Sequence, residues 1–197
     1  MKALSVKTID VQLTIQKGTA FEVTYHNCEK NEFTVKDTDG VIEIIQNTKT
    51  DYKHWLKWFT QSPHITLKLE NAYEKIIVDA DSNQVKVEDI ESEDLDIAVG
   101  NGKILIRNVH AKTANVECSN GGAEVFNLKV TDACKIHTAN GKTIVSNSIS
   151  NESGYSASCT NGKLQIFEKT YDCPQEQKRE GNPMYFVSCA NGKCIVT

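Results

Sequence analysis

Residues 95–128 read LDIAVGNGKILIRNVHAKTANVECSNGGAEVFNL, and within them one phrase is written twice. Asn101-Gly102 and Asn120-Gly121 recur as Asn140-Gly141, Asn161-Gly162 and Asn191-Gly192, with a degenerate version at Ser82-Asn83. Successive copies are 19, 19, 20, 21 and 30 residues apart. A period of this length marks a stacked-repeat architecture. Apolar or small side chains keep fixed offsets from the dipeptide. Six before it stand Ile76, Leu95, Ala114, Cys134, Tyr155 and Tyr185, and four before it Val78, Ile97, Val116, Ile136, Ala157 and Val187. Two before it come Ala80, Val99, Cys118, Thr138, Cys159 and Cys189, while Val85, Ile104, Ala123, Thr143, Leu164 and Cys194 follow at the third place, and Val87, Ile106, Val125, Val145, Ile166 and Val196 at the fifth. Spacing by two on both sides gives two short strands per repeat, with one set of side chains facing inward.

Two architectures fit a repeated Asn-Gly. In a meander each dipeptide is the type I′ turn of a hairpin, because Gly and Asn tolerate positive φ. In a solenoid each repeat is a coil lying about 4.8 Å from the next, which places equivalent residues over one another. A meander has no need for the same residue class at the same offset six times; a stack does. The sequence therefore predicts an all-β, single-stranded parallel β-helix with about 19–21 residues per coil. A second polar corner is expected at Asp89, Asn108, Asn127 and Asn147, followed inward by Ile90, Val109, Leu128 and, with a break, Ser148.

These phrases, preceded by NAYEKIIVDADSNQVKVEDIES at 71–92, resemble the bacterial putative-adhesin family of β-strand-repeat domains. The resemblance runs from about Val6 onward and is strongest between Leu67 and Ser148. It implies a right-handed β-helix, and it brings no established activity and no catalytic motif. Asn-Gly-Lys here replaces the commoner Ser-Gly-Asp type of turn.

The 197 residues suffice for one elongated array with a buried core. A net charge of −4 gives no basic stripe for nucleic acid. No stretch approaches the length of a membrane span, and MKALSVKTIDVQL lacks the apolar core of a signal peptide. Seven cysteines, an odd number, fit a reducing compartment better than a disulfide framework. The reading is therefore cytoplasmic, with cell-surface association left open.

Residues 1–75 read as irregular coils and a cap, and 76–197 as regular coils with an inserted, solvated loop at 168–184. Ile9, Val11, Leu13 and Ile15 alternate, as do Phe21, Val23 and Tyr25, and Asp39-Gly40 between Val35 and Ile42 looks like an early coil. Between residues 50 and 62 the period changes, and Trp55, Leu56, Trp58 and Phe59 make one face of a short helix or aromatic loop. That face either packs over an open edge or, with Trp55 and Trp58, contacts a partner.

The chemistry-bearing residues are sparse. Cys118, Cys159 and Cys189 share one inward column, with Cys134 and Cys194 in neighbouring ones; the expected role is core packing, with Cys159 and Cys189 as vertical neighbours. Cys173, in the loop, is the more reactive thiol. His26, His54, His64, His110 and His137 keep no spacing with a nucleophile. Asp79, Asp81 and Asn83 begin like a calcium loop, but Gln84 and Ile90 stand where its glycine and glutamate belong. No metal or cofactor is expected. Lys103, Lys142, Lys163 and Lys193 follow the dipeptide and form a row on stacking, with Gly122 interrupting. That row either keeps an edge from pairing or binds an anionic polymer such as a cell-wall polysaccharide.

The expected function is a non-catalytic scaffold or binding module for a protein partner or cell-envelope glycan. The alternatives are a carbohydrate-active β-helix enzyme, disfavoured because Arg107 and Arg179 are the only arginines, and a polymerising structural protein. Because CANGKCIVT, 189–197, leaves nothing after it to cover its strand edges, an end-to-end homodimer, or cover by another element, is also expected.

Overall fold

A computed structural model describes residues 2–50, 62–70 and 72–197. Trp55, Trp58 and the expected aromatic helix or loop lie outside the described residues. The regular part of the chain is two very long strands, β7 (Tyr73–Glu88) and β8 (Glu91–Ser146), which bend without leaving the ladder. β7 pairs in parallel with the first part of β8, Ile76 on Leu95, Val78 on Ile97, Val85 on Ile104 and Val87 on Ile106. Each pair is 19 residues apart, so one coil has the predicted length. Ser82 lies on Asn101 and Asn83 on Gly102, which confirms the degenerate dipeptide as a true repeat position.

The Asn-Gly dipeptides are not hairpin turns. They sit within continuous strands, and glycine is there for close approach: a Cβ on Gly141, whose φ is +140°, would stand 1.6 Å from the carbonyl oxygen of Gly121 below. The second corner does need positive φ. Asp89, Asn108, Asn127 and Asn147 have φ of 50–54°, a conformation Asn and Asp adopt more readily than other residues with a Cβ. The columns after it, Ile90, Val109 and Leu128, are buried, and so is Ser148, whose hydroxyl donates to the Ser146 carbonyl (3.0 Å) and accepts from the Leu128 N–H (3.1 Å).

The order of coils departs from the order of the chain. β12 (Met184–Val196) pairs in parallel with the last coil of β8 on one side and with β9 (Gly154–Ile166) on the other. The coil at 184–196, expected to end the stack with an uncovered edge, is thus inside it, and end-to-end association through that coil has no free edge to use. The element that covers it is β9. β9 is covered in turn by β10 (Lys169–Asp172) and β11 (Gln175–Arg179), both antiparallel to it. The expected solvated loop at 168–184 is therefore largely a two-strand cap.

The other end repeats the device. β1 (Ala3–Thr8) and β2 (Gln12–Lys17) form a coil on β7, and β5 (Val41–Gln46) and β6 (His64–Leu69) lie outside them, all in parallel. β3 (Glu22–His26) and β4 (Phe33–Thr38) then close that end antiparallel to β6 and β5. Asp39-Gly40 is the turn of the β4–β5 hairpin, with φ of 53° and 81°, rather than a coil corner, and Val35 on it is 40% exposed. The chain bends at Ile9–Asp10 between β1 and β2, where the Gln46 side-chain oxygen accepts the Ile9 N–H at 2.8 Å. Among the described residues twelve strands make one mixed sheet, parallel through the stack and antiparallel at the caps.

The core is the set of inward columns. Ile76, Val78, Val85, Leu95, Ile97, Ile104, Val116, Ile136 and Val187 are all buried, and β-branched side chains suit strands packed face to face. Thr138 and Thr143, fully buried, hydrogen-bond each other at 2.8 Å, which satisfies the polar groups where the column turns from aliphatic to hydroxyl. Tyr185 does the same for backbone: its hydroxyl donates to the Leu128 carbonyl (3.1 Å) and accepts from the Val130 N–H (3.4 Å).

Candidate functional site

Stacking turns single residues into ladders. The amide side chains of the dipeptide corner form one unbroken chain: Asn161 donates to Asn191, Asn191 to Asn140, Asn140 to Asn120 and Asn120 to Asn101, each at 2.9 Å. The order of the links is the spatial order of the coils, with Asn191 between Asn140 and Asn161. On the second corner Asn127 donates to Asn108 (3.1 Å) and Asn108 to Asp89 (3.0 Å). On the face before the dipeptide Asn115 donates to Asp96 (3.0 Å), and Lys135 to Glu117 (2.8 Å), whose carboxyl it holds below the usual carboxylate range.

Two places along from the Asn corner is the lysine column. Lys103 is neutralised by Glu124 at 2.8 Å. Beyond the gap at Gly122 come Lys142, Lys193 and Lys163, consecutive because β12 lies between β8 and β9. Among the described residues none of these three has a carboxylate within ion-pair distance. The next outward column, again two places along, carries Glu124 and then Ile144, Ile195 and Gln165. Sequence reading missed this change, because it depends on which coil lies over which.

The cysteines are core residues, as the columns predict: Cys118, Cys134, Cys159, Cys189 and Cys194 are buried, and all seven thiols are free. Burial pushes the Cys134 and Cys194 thiols up to about 12. Cys189 stands directly on Cys159, and Cys173, half-buried in the cap, reaches Cys159 as well; burial first, then these neighbouring thiols, raises Cys159. His137 faces outward and bonds the Ser188 hydroxyl at 2.8 Å. Asp79 and Asp81 are exposed beside a shallow groove of ≈530 Å³ floored by Ala98 and Gly100, and Lys7 pairs with Asp79 at 3.7 Å. A second groove, ≈440 Å³, ends on Phe186, which is 47% exposed and was not singled out from sequence. Among the described residues no group of three or more His, Cys, Asp or Glu side chains is placed to hold a metal, and no helix is long and apolar enough to cross a membrane.

Residues 59–188 match the family described as Toastrack DUF4097. Two solved structures share the fold over nearly the whole chain. One is described as a "putative cell adhesion protein" from Clostridium sporogenes, with 14% identity and a TM-score of 0.53, covering 99% of this chain and 92% of that one. The other, a "putative adhesin" from Bacteroides fragilis, has 12% identity and a TM-score of 0.51, covering 100% and 93%. At these identities the likeness is one of fold. No curated protein matches the chain.

Proposed function

The chain belongs to the Toastrack DUF4097 family, and on that premise we propose that it is a non-catalytic binding or scaffold module whose walls contact a protein partner or a glycan of the cell envelope. The observation that carries this reading is how the wall's polar side chains are used. Asn, Asp and Lys groups repeat at the coil pitch and bond along the stack, as in the five-membered Asn ladder, instead of converging on one point. Such a surface offers many equivalent contacts to an extended partner, whereas catalysis needs unlike groups focused on one reacting atom. The adhesin descriptions of the two structural neighbours agree with it.

Trp55 and Trp58 are a second contact element in this reading, since tryptophan is enriched where proteins bind partners. The test is a pull-down of cell-envelope fractions and a panel of glycans with the full chain, alongside the W55A/W58A double variant. Saturable retention of one class of component, weakened by the double variant, is the expected result. Depolymerisation of a polysaccharide by the purified protein, without stable retention, would overturn the reading in favour of an enzyme.

A further inference from the structure

Lysines on a β-sheet are commonly placed to keep an open edge from pairing. That role does not account for Lys142 and Lys193. Both lie in coils with a paired strand on each side, Lys142 between the preceding coil of β8 and β12, Lys193 between β8 and β9. Like charges placed directly opposite on neighbouring strands are destabilising, and three occur here in succession at a spacing of about 4.8 Å. Two coils earlier, the chain relieves the same charge: Glu124, from the intervening coil, holds Lys103 at 2.8 Å. At the equivalent of Glu124 the next three coils have Ile144, Ile195 and Gln165. The carboxylate nearest by register is Asp172 of the cap, opposite Lys163, and it makes no ion pair there. On a chain of net charge −4, three neighbouring coils whose lysines have, among the described residues, no ion-paired carboxylate are a local reversal of sign.

We propose that the column Lys142–Lys193–Lys163 binds a linear carboxylated polysaccharide lying along the stack axis. The proposal rests on the binding-module reading above and names its ligand class. The three lysines span about 10 Å along the stack, and because successive sugars of a linear polyuronate are rotated about its axis, one or two carboxylates face the row and each is shared by adjacent lysines. Lysine is a point charge that meets a carboxylate without demanding planar, bidentate geometry. The half-buried Ile144 and Ile195 beside the row give the apolar faces of the sugar rings a surface, and the Asn ladder on the other side offers hydrogen-bonding groups to hydroxyls.

The full chain is titrated with oligogalacturonate, with its methyl-esterified form of equal length and with inorganic polyphosphate, at low and high salt, and folding of every variant is checked by thermal melting. Binding of oligogalacturonate alone is expected, weakening with salt because exposed charges are screened. Lys193→Gln should weaken it by about threefold to fivefold, the range of one exposed ion pair. The K142Q/K193Q/K163Q variant should abolish binding, while Lys103→Gln, which removes an already neutralised charge, should leave it within about twofold of the original. Absence of oligogalacturonate binding, equal binding of the esterified form, tighter binding of polyphosphate, or unchanged binding by the triple variant would overturn the proposal. If envelope material is still retained by a folded triple variant, the binding-module reading survives and only this site fails.

Discussion

Asn120 is both donor and acceptor in the amide ladder, giving its Nδ2 hydrogen to Asn101 and receiving one from Asn140. Asn101, at the other end of that bond, is an acceptor within the ladder. The direction of the bonds makes the two positions unequal. Asn120→Asp should cost about 1–2 kcal/mol in urea unfolding, because a lost donor leaves a carboxylate facing the Asn101 oxygen. Asn101→Asp keeps the acceptor and should stay within about 0.5 kcal/mol of the parent. A more severe outcome is expected at Gly141, where an added Cβ meets backbone rather than a movable side chain: Gly141→Ala should lose about 3 kcal/mol or more. The dipeptide was conspicuous in the sequence, but its reason was not. Turn chemistry and close stacking both select Asn-Gly, and only the neighbouring coil distinguishes them.

At the scale of elements, the cap β10–β11 is held by its pairing with β9, and Arg179 adds several contacts of its own. Its guanidinium donates to the Ser150 and Ser153 carbonyls and lies 5.1 Å from the centre of the Tyr155 ring. Arg179→Ala should lower stability by about 2 kcal/mol, the range of a hydrogen bond from a charged donor. Limited proteolysis should then cut within 168–183 before any other site. An unchanged digestion pattern would show that strand pairing alone holds the cap. This cap reads in sequence as a loop because EKTYDCPQEQKREGNP is polar and carries two prolines and a glycine. Its alternation is real, since Tyr171, Cys173, Gln175, Gln177 and Arg179 are half-buried and the residues between them exposed. Hydrophobicity could not reveal it, because three of those five are polar. The lysine column shows the same division: its members were legible, but its order and its uncompensated charge were not.

Over the whole molecule, the buried acids of the stack set its behaviour in alkali. Burial raises Cys134 from 9.0 to about 12, Cys194 likewise, and Tyr185 from 10.0 to about 12. A raised folded-state pKa contributes stability that is fully present below the unfolded pKa. As pH rises above 9 the unfolded chain releases protons that the fold retains, so stability falls until the folded-state values near 12 are passed. The urea midpoint should therefore decline between about pH 8.5 and about pH 10.5, and Cys134→Ala, though less stable overall, should show a shallower decline. A midpoint flat across that range would mean that these thiols ionise within the fold.

The sequence by itself determined the coil length, the inward columns and the polar corners, because a stack repeats one local environment and so writes it into the chain at a fixed period. Only the tertiary structure decided the order of the coils. β12 slips between β8 and β9, and β1 with β2 between β7 and the pair β5 and β6. Equivalent coils present the same edge and the same columns to either neighbour, so periodicity contains no information on which of them is adjacent. Pairing is settled by long-range contacts, and with it the ends that are capped and the charges that meet.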